Sequence, residues 1–589
     1  MISAIVILTI SYIVWKYTSQ YLDRKDRAHA IRCFGLATLL LLAAQAVTGE
    51  CMFSLANGWA LWLYLSYLII PILYYKANRY VHNMDNDVPY VVIDSRRDIM
   101  IPLYMLAFCS LLQFVLGWYL PGEIYVSILV LVNFLLQILP VIYVMHYRLY
   151  GDVLSEGAII SVQQTRWQEA REYAYAIFGI KGIVFFLCAL MMHTYIYIWY
   201  FGNIYGKGQG YVLPHPLITL VILGGMAVIF YKEYTKGRIL IAWKRVKERL
   251  ETERLYAQEH DKRYAALQVD TQNALIANAP GTVILVIGES ASRDYMHVYD
   301  SSLPYANTPW LEEKLNDENF TIFNNGYASY NLTMEVLKMA LTESSQYNKI
   351  DFSESISIID IVKKAGYKTY WFSHKGRLGQ ENVATTMIAN TTDEYRGPSQ
   401  NGEIGYDKDF LELLKNVSPQ DNNFIVLHLM GSHAYYEARY PLGEGRWNGG
   451  TVEETYANTI LYTDELLKEV FEYARDNLDL QCMFYFSDHG ENLQHGHHPS
   501  IRTADTLRIP MFIYLSDRYR ELYKERADIL KRNKNRFYSN DMVYNTIVGL
   551  LGIDSKHYEA KEDLSSSQYN YDKEQILTFD GTMYITEFE

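Results

Sequence analysis

The chain has 589 residues, half of them hydrophobic, and a formal net charge of −13. That length leaves room for more than one domain, and the negative balance argues against general nucleic-acid binding. Four of the five cysteines (Cys33, Cys51, Cys109, Cys188) lie in or beside apolar runs. Only Cys482 remains for the C-terminal part, which excludes an internal disulfide there.

Long apolar runs crowd the part before about residue 233. Leu55–Tyr75, Ile99–Leu120, Ile124–Met145 and Tyr175–Phe201 are long enough to cross a bilayer, and Ile2–Trp15, Cys33–Val47 and Leu217–Tyr231 are shorter candidates. Buried helices of a soluble protein need polar faces that these runs lack, so residues 1–235 read as a membrane domain of about seven spans. The first run lacks a basic leader and a small-residue cleavage site, and reads as an anchor. Basic residues cluster between the first two runs (Arg24, Lys25, Arg27, Arg32), after the third (Lys76, Arg79, Arg96, Arg97) and after the last (Lys232, Lys236, Arg238, Lys244, Arg245, Lys247). If every run crosses, the positive-inside rule places these loops and the C-terminal domain in the cytoplasm.

A polar, helix-prone segment near 150–173 interrupts the runs. In Ser161-Val-Gln-Gln-Thr-Arg-Trp-Gln-Glu-Ala170, Thr165 and Glu169 stand four apart and share a helix face. An ordinary interfacial helix is the plain reading. Residues 236–278 are highly charged with few breakers, the pattern of a connecting amphipathic helix on the membrane surface.

From 279 to 589 strand-like runs alternate with helical ones. Val283–Ile287, Tyr367–Phe372, Phe424–Leu429, Met483–Phe486 and Met511–Leu515 read as strands, and Ile358–Ala365 and Glu454–Asn477 as helices. The alternation implies a mostly parallel sheet sandwiched by helices. Ligands of such sheets collect at the carboxyl ends of the strands, and chemistry-bearing residues stand there in this chain. The run Gly281-Thr-Val-Ile-Leu-Val-Ile-Gly-Glu-Ser290 ends in Glu289, and Met483-Phe-Tyr-Phe-Ser-Asp-His-Gly-Glu491 ends in Asp488 and His489. Phe424-Ile-Val-Leu-His-Leu-Met-Gly-Ser-His433 delivers His428 and His433, and His495-Gly-His-His498 adds three more imidazoles. Two carboxylates and an imidazole match the oxygen and nitrogen ligands of zinc.

No cysteine is placed to act as nucleophile, which leaves a hydroxyl. Helical spacing starts just after Thr333 in Ser329-Tyr-Asn-Leu-Thr-Met-Glu-Val-Leu-Lys338. A helix N-terminus favours an anion, and metal coordination would activate the hydroxyl. Plain N-capping is the competing role for such a threonine.

Taken together, these motifs resemble the phosphoethanolamine transferases of the alkaline phosphatase and sulfatase superfamily, which modify lipid A and lipopolysaccharide core. The likeness is carried by Gly288-Glu-Ser290, by Thr333 nine residues before Thr342, by Gly431-Ser-His433 with Arg439-Tyr-Pro441, and by Ser487-Asp-His-Gly-Glu491. The segment Ser539–Gly552 looks like the family's closing helix, and Thr165 with Glu169 like its pair between spans. Ser161 stands where the family often has Asn, and Lys338 where it has Pro; the nearer likeness is to the branch acting on lipopolysaccharide core or other surface glycans.

The resemblance implies a transmembrane helical domain followed by a sulfatase-like catalytic domain at 279–589, with zinc, one ion or two, on Glu289, Thr333, Asp488 and His489. It implies transfer of phosphoethanolamine from phosphatidylethanolamine to lipopolysaccharide core, lipid A or another envelope glycan, through a covalent Thr333 intermediate. It places His433 and one of His495, His497 and His498 on the phosphoryl group or a second metal, with a histidine as general acid at the leaving oxygen. Thr165 and Glu169 would meet the ethanolamine end, and Lys375 the substrate phosphate. Family members sit in the bacterial inner membrane with a periplasmic catalytic domain, opposite to the side the basic loops indicate; the conflict weakens if one short run does not cross. A membrane-bound sulfatase or phosphodiesterase using water as acceptor is the rival enzyme reading. A non-catalytic scaffold is the rival outside enzymes, and the intact Glu289, Thr333, Asp488, His489 set speaks against it.

Overall fold

A computed structural model describes residues 2–18, 24–48, 53–54, 57–84, 96–150, 159, 179–181, 184, 188, 190–205, 216–235, 238–348, 350–374, 384–396, 405–448, 450–494, 496 and 502–588. The chain forms two compact units, one within residues 1–246 and one holding 247–589.

In the first unit every apolar run is helical where it is described: Ile2–Thr18, Arg24–Thr48, Gly58–Met84, Arg96–Tyr119, Gly122–Tyr150, residues 190–200 and Pro216–Tyr234. Among the described residues, however, three helices rather than seven are long and apolar enough to cross a membrane: Ile99–Tyr119, Gly122–Arg148 and Pro216–Tyr234. The helices Ile2–Lys16, Phe34–Thr48 and Gly58–Leu73 are apolar but shorter.

The Ile99–Tyr119 helix is the inner one, 83% buried over its apolar window, against 28% and 11% for the other two. Its polar Gln113 is also buried. It accepts from the Trp59 indole and donates to Asn57 Oδ1 at 2.7 Å. That satisfies groups which lipid could not.

The second unit is built on an eight-stranded sheet: β1 (Thr282–Gly288), β2 (Phe320–Tyr327), β3 (Lys368–Ser373), β4 (Glu394–Arg396), β5 (Asn423–His428), β6 (Leu480–Ser487), β7 (Arg508–Leu515) and β8 (Phe537–Ser539). The order is β4-β3-β5-β1-β6-β7-β2-β8. The strands from β4 to β6 run parallel, whereas β7 is antiparallel to both β6 and β2. All seven residues of β1, a strand at the middle of the sheet, are buried, which is why its sequence is a continuous apolar run.

Helices cover the sheet. Val452–Asn477 starts at a Thr451–Glu454 capping box and buries Tyr456, Ile460, Leu467 and Val470 in the core. Ile358–Ala365 starts at a Ser357–Asp360 box. The connecting helix runs from Arg238 to Ala266, shorter than the 236–278 stretch, which continues through a turn into the short helix Leu275–Asn278. Within the second unit Tyr256 stacks on Phe352 at 4.4 Å, and Arg263 donates to the Ser353 carbonyl at 2.7 Å.

Candidate metal and nucleophile centre

Strands β1 and β6 are parallel neighbours, with Gly288 opposite Ser487. The residues that follow, Glu289 and Asp488, therefore leave the sheet side by side at its carboxyl edge, and His489 comes next. Parallel pairing of two apolar runs thus brings together acids that lie about two hundred positions apart. All three side chains are almost entirely buried. Their ligand atoms lie within 4.8 Å of one another, the one such group of three or more among the described residues.

Thr333 enters from a separate segment. It is the first residue of the helix Thr333–Ala340, and Leu332 holds the N-cap position without a side-chain bond. The threonine is therefore not the cap. Its hydroxyl instead donates to Glu289 Oε2 at 3.2 Å and lies 3.4 Å from His489 Nε2. His489 Nε2 is also 3.7 Å from Glu289 Oε1 and 3.5 Å from Asp488 Oδ2.

Hydrogen bonds behind the group fix its orientation. His489 Nδ1 lies 2.8 Å from the Gly490 carbonyl. A carbonyl only accepts, so the proton belongs on Nδ1 and the Nε2 lone pair faces Thr333 and the carboxylates, the arrangement of a neutral metal-binding imidazole. Asp488 Oδ1 accepts the main-chain N–H groups of Ser290 at 3.0 Å and His489 at 2.7 Å. Ser290 donates through Oγ to Glu289 Oε1 at 2.9 Å, from a left-handed backbone with φ 55°. A non-glycine residue in that region costs about 1–3 kcal/mol and persists where the surroundings over-determine it. They do here: the Tyr456 hydroxyl donates to the Ser290 carbonyl at 2.7 Å and accepts from Ser292 N at 2.9 Å.

Two carboxylates this close in a buried site repel unless a cation or a proton stands between them. Two oxygen donors, an imidazole nitrogen and a hydroxyl fit a divalent cation with mixed oxygen and nitrogen preference, as zinc has.

Residues 281–553 match the family described as Sulfatase. They are a sulfatase-family domain. The chain is 24% identical over 493 residues to the phosphoethanolamine transferase EptC of Escherichia coli O18:K1:H7, covering 74% of this chain and 84% of the relative. The phosphoethanolamine transferase CptA of Salmonella typhimurium is also 24% identical, over 499 residues, with the same coverages. Among solved structures, the integral membrane lipooligosaccharide phosphoethanolamine transferase A of Neisseria meningitidis shares the fold, with a TM-score of 0.56, 18% identity, and coverage of 86% of this chain and 97% of the other. The likeness read from the motifs is met, and so is the expectation of a phosphotransferase-class enzyme.

Within the sulfatase domain, His433 lies half-buried on the loop after β5, whose preceding residue Ser432 donates its N–H to the Glu289 carbonyl at 2.9 Å. It is not part of the three-residue metal group. His428 ends β5 with its Nδ1 3.4 Å from Ser373 Oγ, a contact between strand ends. Thr165, Glu169, Lys375, His495, His497 and His498 lie outside the described residues. Thr342 closes the Thr333 helix by donating to the Lys338 carbonyl at 2.7 Å, and Lys338 pairs with Glu335 at 3.3 Å.

Sequence reasoning missed Asn540, which is fully buried. It donates to the Asp488 carbonyl and accepts the Ser329 N–H, tying the loop before Thr333 to the end of β6. It also missed Asp407 on the loop side. Both bond main-chain groups far away in sequence, so no spacing marks them.

Proposed function

We propose that the chain is a zinc-dependent phosphoethanolamine transferase that takes its donor group from phosphatidylethanolamine. The acceptor is a hydroxyl or phosphate of lipopolysaccharide or another envelope glycan. The reading rests above all on one observation: the Thr333 hydroxyl stands within 3.4 Å of both Glu289 and His489 at the buried carboxylate–imidazole group. The names of the relatives that cover most of the chain support the transferred group.

Glu289, Thr333, Asp488 and His489 would hold the metal. When bound, zinc lowers the pKa of a coordinated hydroxyl and offsets negative charge on a phosphodiester. Glu289 Oε2, the acceptor of the Thr333 hydroxyl bond, is the group placed to take its proton. Thr333 Oγ attacks the phosphorus of the donor lipid, and the bond from phosphorus to the diacylglycerol oxygen breaks. That oxygen leaves with a proton from His433 as diacylglycerol, and phosphoethanolamine is esterified to Thr333. In the second half the acceptor hydroxyl gives its proton to His433 and attacks the same phosphorus, and Thr333 leaves with the proton that Glu289 had taken. Each displacement uses the group left by the other, so the enzyme returns to its starting state.

Thr165 and Glu169 serve the ethanolamine end of the donor, and Lys375 with one of His495, His497 and His498 its phosphate. A transmembrane unit gives the enzyme access to a donor that never leaves the bilayer. The catalytic unit belongs on the periplasmic side of the inner membrane, where envelope glycans are finished. A C-terminal alkaline phosphatase fusion that stayed inactive would place it in the cytoplasm instead.

The deciding experiment is intact-mass measurement on the full chain in detergent, incubated with zinc and phosphatidylethanolamine. The expected result is a phosphoethanolamine adduct mapped to Thr333 and none on Thr333→Ala. Free phosphoethanolamine released to water at the full rate without any glycan acceptor would replace the transferase by a hydrolase.

A further inference from the structure

We infer that Asp407 is a positioning residue that clamps the loop after β5 against the main chain of Glu289. Asp407 begins a short 3-10 turn, Asp407–Asp409, and is 4% exposed. Its two oxygens are divided between consecutive residues: Oδ1 accepts the N–H of Met430 at 3.0 Å, and Oδ2 that of Gly431 at 2.8 Å. Burial raises the Asp407 pKa, opposed in turn by His374, just beyond β3, by the two main-chain N–H groups and by the buried Arg439 guanidinium further along the same loop.

The other side of the loop meets Glu289 directly. Gly431 has φ 47°, and a Cβ there would stand 2.9 Å from the Glu289 carbonyl oxygen and 3.0 Å from its nitrogen. Only glycine lets the two backbones approach this closely. Ser432 then donates its N–H to the Glu289 carbonyl at 2.9 Å, and its hydroxyl accepts from Thr459 Oγ1 at 2.7 Å. The loop is thus held between Asp407 on one side and Glu289 on the other, and His433 follows at once. Two oxygens on one rigid carboxylate set the approach of Gly431, and Gly431 sets the backing of Glu289. Replacing Asp407 by Asn turns one acceptor into a donor that faces an N–H, so one of the two bonds is lost and the loop loosens where it supports the metal-binding acid.

This rests on the reading of Glu289 as a metal ligand and of the chain as a transferase. The test uses the full chain in detergent, with zinc ion alone as the binding probe in chelator competition and phosphatidylethanolamine headgroup transfer as the kinetic probe. Asp407→Asn is expected to weaken zinc binding about 10-fold, the usual scale for a group behind a metal ligand. It is also expected to lower kcat about 10- to 100-fold while KM for the donor stays within about 2-fold, since a displaced residue far from the chemistry costs rate on that order. Gly431→Ala should show the same pattern by pushing on Glu289 from the other side. A folded Asp407→Asn protein with wild-type zinc affinity and wild-type kcat overturns the inference. If Asp407→Asn does not fold, wild-type values in Gly431→Ala overturn it. Undiminished zinc affinity in Glu289→Gln would instead sink the reading of the metal site, and this inference with it.

Discussion

Asn540 donates from Nδ2 to the Asp488 main-chain carbonyl at 2.6 Å and accepts the Ser329 N–H on Oδ1 at 2.9 Å. One amide therefore bridges the segment that delivers Thr333 and the strand end that delivers Asp488 and His489. Asn540→Asp keeps the size but sets a carboxylate oxygen against the Asp488 carbonyl, with no donor left for it. The expected cost is about 1–3 kcal/mol of stability. Transfer activity should fall at least about 10-fold as Thr333 and Asp488 drift apart. Thermal unfolding and a headgroup-transfer assay on the same preparation measure both, and wild-type activity in this variant would show that the bridge does not position the centre.

Thr333 tests the chemistry itself. Thr333→Ser keeps the hydroxyl at the start of its helix and should retain activity within about 10-fold, with the adduct now on the serine. Thr333→Val keeps the shape and removes the hydroxyl; its activity should fall by at least about 10³-fold, the scale for losing a nucleophile. Adduct formation on the valine variant, seen by intact mass, would move the nucleophile elsewhere.

The centre was legible because its residues follow the strands in sequence. Val283–Ile287 in β1 and Met483–Phe486 in β6 are apolar throughout and are followed within two residues by Glu289 and by Asp488-His489, so the switch from apolar to charged marks the sheet edge. Thr333 could be placed at a helix start from the spacing after it, but whether it caps that helix or turns its hydroxyl to Glu289 needed the Leu332 backbone. The direction of β7 could not be read, since an apolar run carries no arrow. β2 was lost because polar Asn324 and Asn325 break its pattern, and β4 and β8 because three residues hold no period. Asp407 and Asn540 stayed hidden for a different reason: each bonds main-chain N–H or carbonyl groups, which every residue has.

The connecting helix offers a pH test. His260 Nε2 lies 2.7 Å from Asp360 Oδ1. That hydrogen bond holds the His260 pKa above its ordinary 6.5, against partial burial and the nearby Arg263, with a smaller contribution from Asp261. A histidine whose folded pKa is raised contributes stability that is fully present below about 6.5 and is lost as pH rises through the folded pKa. Asp360 keeps its helix cap in either state, because Oδ2 accepts from Ser357 N at 3.1 Å. The melting temperature of the wild type should therefore exceed that of His260→Ala by most below pH 6.5, and the gap should shrink toward pH 8.5. A gap that is constant with pH would mean that His260 acts there by packing alone.

Gly288 gives the strand-end motif a steric reason. A Cβ on it would stand 2.8 Å from Tyr485 Oη on the neighbouring β6, and the Tyr485 ring is buried and stacked on Phe512 at 5.4 Å. The ring has nowhere to go, so Gly288→Ala must spread β1 from β6 at the point where Glu289 and Asp488 emerge. Overpacking of this kind costs about 1–3 kcal/mol. Gly326→Ala makes a suitable comparison, because its Cβ would strike Tyr538 on β8, at the far edge of the sheet from β1. Both variants should melt lower than the wild type, but zinc affinity in chelator competition should drop only for Gly288→Ala. Equal zinc affinity in the two would detach the glycine from the metal centre and leave it a packing residue.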